Sequence, residues 1–241
     1  MMSMRNWLRT AGFALATTLI AVPASAQIVQ SFNVGFGVFY PRSFDSRDVN
    51  DTLVANKSAA EPLAFDIGSL SAATVFGEWI VEMGPHLSFG ASVGYYSEGI
   101  PSTYVNVVNA NGAEILQDLR LRVTPITGVV RFSPFGSAKT FQPYIGVGVS
   151  ALPFRYSESG QFVDTSDNSI FTDRFVATGT GVGPVVLGGF RAPVGGDIYA
   201  LTMEWRYQFG TGDTGGLQNG FLGDKIDLSG GNLNFGFLIR F

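Results

Sequence analysis

Tyr199 to Phe209 reads Y-A-L-T-M-E-W-R-Y-Q-F. Tyr199, Leu201, Met203, Trp205, Tyr207 and Phe209 fall on one side of an extended chain. Ala200, Thr202, Glu204, Arg206 and Gln208 fall on the other. Strict period-two alternation of this kind makes a strand with two unlike faces. A water-soluble sandwich would turn the polar face to water. A membrane barrel would turn the apolar face to lipid and the polar face to its lumen. Alternation alone does not separate the two.

The same pattern recurs along the chain. It appears in Phe32–Tyr40, Val75–Met83, Leu87–Tyr95, Leu119–Phe132, Ile145–Ala151, a weaker stretch over 181–192, and Leu233–Phe241. With 199–209 that makes eight strands. Composition favours the membrane. Charged residues are 14% of the 241, against roughly 25% in soluble domains. Hydrophobic residues are 46%, which excludes a disordered chain. Beyond residue 26 no apolar run approaches the ~18 residues of a spanning helix. Cysteine is absent, which excludes a disulfide scaffold, a zinc ribbon, a thiol enzyme and a lipid-anchored lipoprotein.

Residues 1–26 read as a secretory signal peptide. Arg5 and Arg9 precede an apolar stretch from Ala11 to Val22, then Pro23 and the small-residue site Ala24-Ser25-Ala26. Its removal leaves 13 basic and 19 acidic residues, a net charge of −6, in a single domain over 27–241. That balance argues against nucleic acid, whose phosphates need a basic footprint.

The links alternate in length. Segments of about 41–68, 97–117, 153–178 and 210–227 are long, and Asn109-Ala110-Asn111-Gly112 marks a hairpin tip. Gly84-Pro85, about 133–141 and 193–197 are shorter. Long loops at one end and short turns at the other belong to outer-membrane barrels. Gly and Ser recur opposite the apolar positions, as a narrow eight-stranded lumen requires. The expected fold is all-β: a transmembrane antiparallel up-and-down β-barrel of eight strands.

Three features resemble the small bacterial outer-membrane β-barrel proteins, the group that includes the membrane domain of OmpA and the OmpW and OmpX types. Leu233, Phe235, Phe237, Ile239 and the terminal Phe241 resemble the C-terminal signal read by the barrel-assembly machinery. Glu204–Tyr207 (E-W-R-Y) resembles a penultimate strand, and Gln142–Gly148 a central strand opening. The resemblance implies a bacterial outer-membrane location, with lipid and the assembly machinery as partners, and a monomer is expected. Nothing follows Phe241, so a periplasmic domain of the OmpA type is not expected.

Chemistry is sparse. Enzymes of this size among outer-membrane barrels mostly use a His to activate Ser or water. The single histidine, His86, follows Gly84-Pro85 in a turn, so no enzyme is expected. No calcium loop, phosphate loop or dinucleotide fingerprint is present, so neither metal nor cofactor is expected. Glu78, Glu82, Arg120, Arg122, Glu204, Arg206 and Arg240 all take the face opposite the large apolar residues. In a barrel they would meet in the lumen, where charges removed from water must pair. A salt-bridged plug is the first reading, and a small conducting path the alternative. Trp79, Tyr95, Tyr144, Tyr199, Trp205, Tyr207 and Phe241 would form interfacial girdles. The expected role is structural or surface-interacting, and the alternative is a narrow channel for small solutes or apolar compounds.

Overall fold

The computed structural model describes residues 28–136, 141–164, 166–194 and 196–241. Residues 1–26, expected to be a signal peptide, lie outside the described residues. The barrel strands are β1 (Ile28–Pro41), β3 (Ala72–Met83), β4 (Leu87–Val108), β5 (Glu114–Val123), β6 (Ile126–Phe132), β7 (Gln142–Val163), β8 (Ile170–Val194), β9 (Tyr199–Gln208) and β12 (Gly230–Arg240). Short elements lie between them: helix α1 (Thr52–Ser58), β2 (Leu63–Ala64), β10 (Thr211–Asp213) and β11 (Lys225–Asp227).

Every barrel pairing is antiparallel. The ring runs β1, β3, β4, the β5–β6 pair, β7, β8, β9 and β12, and closes where Ser31–Pro41 pairs with Gly230–Arg240. That is eight walls, as expected from the alternation. The fourth wall is broken at Thr124-Pro125, because proline brings no N–H to the ladder. The ladder is bridged there by Thr124 N–H to the Pro153 carbonyl and Gly94 N–H to the Pro125 carbonyl, both 2.9 Å. Closure leaves no unpaired sheet edge in hydrocarbon, the condition for spanning a membrane with strands.

Over the part of the ring nearer the short turns, the outer face carries the apolar side of the strands. Phe36, Ile145, Val147, Val149 and Val182 are each more than 60% exposed, a surface suited to lipid and not to water. On β7 the lipid-facing run extends over residues 145–153. At about 3.3 Å per residue and a tilt of about 40° it is about 23 Å tall, the height of a lipid-facing band. Trp79, Tyr95, Tyr199, Trp205 and Phe241 face outward with this band, at 44–72% exposure. Tyr144, expected among them, points into the lumen and is buried.

The long links need correction. Residues 97–108 and 114–117 continue β4 and β5, and 153–163 and 170–178 continue β7 and β8. β7 has 22 residues and β8 has 25, against the ~9–11 that cross a bilayer. Two β-hairpins therefore stand beyond the membrane band where loops were expected. In each hairpin the partner strand supplies the ladder. The tip at Asn109–Gly112 is as expected, with Gly112 at φ +80° and Asn109 N–H on the Ala113 carbonyl. The opposite, turn end holds Gly84-Pro85-His86 and both described chain ends, joined by Phe241 N–H to the Gln30 carbonyl.

Candidate functional site

The lumen is filled in two layers. Within the membrane band, inward positions of β3, β6 and β9 bring Glu78, Arg131, Glu204 and Arg206 together. Arg131 is fully buried. Its Nη2 donates to Glu78 Oε1 at 2.7 Å and to Glu204 Oε2 at 2.8 Å, and its Nε donates to Glu204 Oε2 at 3.1 Å. Arg206 holds the other Glu204 oxygen at 2.7 Å, donates to Ser92 Oγ at 3.1 Å, and lies 3.7 Å from Glu78. Tyr144 donates to Glu204 at 3.1 Å, beside the Arg131 guanidinium. Two acids and two bases cancel. A Cβ at Gly90 would lie 2.5 Å from Arg131 Nη1, so the missing side chain makes the room the guanidinium occupies. Nearer the turn end, Glu82 is bonded by Arg191 and, at 3.1 Å, by Arg240.

Five of the seven expected lumen charges thus stand in the lumen: Glu78, Glu82, Glu204, Arg206 and Arg240. Arg120 and Arg122 do not. They lie on the outside of β5, with Arg120 55% exposed at its side chain, while Leu119, Leu121 and Val123 point inward and are buried. The reason is height. β5 stands above the membrane band, where the outside is water and the inside is a packed core, so the sense of the alternation inverts. The same assumption hid Arg131, which shares the inward register of Leu121 along this wall. Val130 and Phe132, flanking it outward, carried the signal. Arg191 was missed because β8 alternates weakly.

The second layer is apolar. Segment 42–71 folds back over the barrel mouth and sends in Leu53, Leu63, Ile67 and Leu70. Segment 209–229 adds Phe221, Ile226 and Leu228. They pack on Phe39, Tyr96, Ile100, Leu119, Leu121, Leu152, Phe154 and Tyr156 from the inward faces of the strands. Asp51 stitches the two segments together. It caps α1 by accepting from Leu53 N–H and Val54 N–H, pairs with Arg47 at 3.0 Å, and accepts from Asp227 N–H. Thr52 Oγ1 donates to the Gly223 carbonyl at 2.9 Å.

Above this stopper lies an open cavity of about 600 Å³. Phe162, Phe171, Phe175, Leu63 and Leu222 wall it, with Tyr104, Gln117 and Glu158 among its polar groups. Glu158 is buried, and accepts from Asn56 Nδ2 at 2.6 Å and Tyr156 Oη at 2.8 Å. Among the described residues no base lies within 4 Å, and burial raises its carboxyl above the ordinary range. The folded state therefore favours the protonated form. That contribution is fully present below the ordinary value of about 4.3 and is lost as pH rises through the raised folded value. Glu158→Gln keeps an acceptor for both donors without the charge. The variant is expected to protect the α1 amides from hydrogen exchange better than wild type at neutral pH, and equally near pH 4. Equal protection at both pH values would show that Glu158 carries no penalty.

His86 sits in the turn Gly84–His86, with ring Nδ1 2.8 Å from the Ser133 carbonyl. It stands at the turn end, whereas residues of the hairpin end line the cavity.

No protein-family model and no curated protein matches the chain. Solved structures do. The outer membrane protein OprG from Pseudomonas aeruginosa matches with a TM-score of 0.49 and 14% identity, over 90% of this chain and 97% of that one. Ail, the attachment invasion locus protein of Yersinia pestis, matches at 0.45 and 8%, over 89% and 99%. The N-terminal β-barrel domain of Pseudomonas aeruginosa OprF matches at 0.41 and 9%, over 88% and 97%. By its own pairing, this chain is a small closed antiparallel β-barrel of eight strands with an outer face suited to lipid.

Proposed function

We propose that the chain is a non-enzymatic bacterial outer-membrane protein that does not conduct, with its hairpin end at the cell surface in a structural or surface-interacting role. The double filling of the lumen supports this reading. An ion or solute would have to pass both the Asp51-stitched apolar layer and the buried Arg131–Glu204 layer. Planar-bilayer recording is expected to give no conductance steps. Steady ohmic steps from the purified protein would overturn the closed-barrel reading. Accessibility of tags near residue 50 or 166 from outside whole cells tests the orientation.

The 600 Å³ cavity favours a second reading, passage of small apolar compounds, because its aromatic wall suits them. The cavity is an entrance without an exit, since both fillings separate it from the turn end.

Assembly belongs to the same proposal. Leu233, Phe235, Phe237, Ile239 and Phe241 project outward along the closing strand β12, in the alternation that resembles the assembly signal. Phe241→Asp is expected to lower the outer-membrane level several-fold, while the purified variant still refolds in detergent. Unchanged levels in cells would remove the assembly role.

A further inference from the structure

Four of the chain's few bases gather on one outer surface. Arg120 and Arg122 are on β5, Arg155 on β7 and Arg174 on β8. With Asp118, Ser157 and Ser159 they line an open groove of about 240 Å³. Register explains the gathering: Arg122 pairs with Arg155, Arg120 with Ser157, and Ser159 with Arg174. Among the described residues Arg122, Arg155 and Arg174 have no ion-pair partner, and Arg120 has only the half-exposed Asp118 at 3.8 Å. Three net positive charges thus share a small area of a chain that is acidic overall. Like charges held in register repel, so the folded chain alone gives no reason for the arrangement.

The groove's height identifies the occupant. On β7 the lipid-facing run ends at Pro153, and the next outward residue is Arg155. On β4, Tyr95 tops the band, and the Arg122 guanidinium carbon lies 6.0 Å from its ring centroid. The lowest arginines therefore touch the upper edge of the band, and the others stand one or two rows higher. This is where lipid headgroup phosphates lie. Arginine's planar fork matches phosphate oxygens in bidentate fashion. A phosphodiester brings one negative charge, whereas a phosphomonoester brings about 1.5 to 2. The charge of the groove matches the second better.

We infer that Arg120, Arg122, Arg155 and Arg174 form a binding site for a membrane lipid whose headgroup carries phosphomonoester groups, with its acyl chains against the β4–β8 face of the band. The inference rests on the membrane placement proposed above and adds a ligand class to it.

The full barrel in phosphatidylcholine nanodiscs doped with phosphatidic acid tests it, with phosphatidylglycerol as the singly charged comparison. Lipids retained on the protein are counted by native mass spectrometry. Phosphatidic acid is expected to be retained above phosphatidylglycerol, and phosphatidylcholine least. Each Arg→Gln change at the four positions is expected to weaken retention roughly fivefold, as for a basic side chain near an anionic surface. All four side chains project outward from the strands, so the variants are expected to fold, and heat-modifiable gel migration checks this. Equal retention of the three lipids, or a quadruple variant that retains phosphatidic acid like wild type, overturns the inference and leaves the barrel reading intact. Arginine-dependent binding of a soluble sulfated oligosaccharide with no lipid preference also overturns it, in favour of an extracellular polyanion. A protein that folds but fails to enter nanodiscs overturns the membrane placement and this inference together.

Discussion

Arg131→Met is expected to destabilise the barrel by about 3–5 kcal/mol, the cost of leaving a buried charge without its partner. Arg131 lies between two carboxylates, and its removal leaves Glu78 and Glu204 with Arg206 alone. Arg206 is 3.7 Å from Glu78, too long to replace the 2.7 Å bond that Arg131 made. Methionine fills much of the volume, so the loss reports charge more than cavity. Adding Glu78→Gln restores one base to one acid, and the double variant is expected to recover at least half of the loss. Urea unfolding in lipid vesicles reads both, because Trp79 and Trp205 lie next to Glu78 and Glu204 on their strands. A single variant that unfolds at the wild-type urea concentration would mean that water solvates these charges, and the conducting alternative would gain.

Asp51→Ala acts at the other layer. It removes a helix cap, worth about 0.5–2 kcal/mol, and strands Arg47, whose side chain is fully buried, at about 3–5 kcal/mol; the two costs overlap and do not add. Helix α1 has seven residues and does not persist without the packing it receives. The expected result is local. Amides of 52–58 and 221–228 should exchange fast, and segment 44–70 should become open to protease, while the strands within the membrane band stay protected. Arg47→Met with Asp51→Leu removes both charges and should recover part of the protection. If Asp51→Ala leaves 52–58 as protected as wild type, the stitch between the two segments has no energetic role.

Neither filling is a cavity that ligand chemistry must complete. Each consists of groups satisfied mainly by one another. Local dissolution of the apolar layer by Asp51→Ala should not by itself produce conductance, since the Arg131 layer remains. Conductance from that variant would place the barrier in the apolar layer alone.

The sequence by itself determined the architecture. Period two, low charge, small residues opposite large ones, and links of alternating length have one common solution in lipid, because every strand must pair and the ring must close. It also determined five of the lumen charges, since within the membrane band the outward face has to be apolar. Only the tertiary structure decided where that rule stops. A strand of 22 residues passes from lipid into water without changing its period, yet the meaning of its two faces reverses. Leu119, Leu121 and Val123 became core, Arg120 and Arg122 became surface, and Arg131 on the same wall became the centre of the ionic layer. The apolar stopper was equally hidden. Leu53, Leu70, Phe221 and Leu228 have no periodicity to announce them, and they are buried because two distant segments meet over the barrel mouth, a contact set by ring closure and not by local sequence.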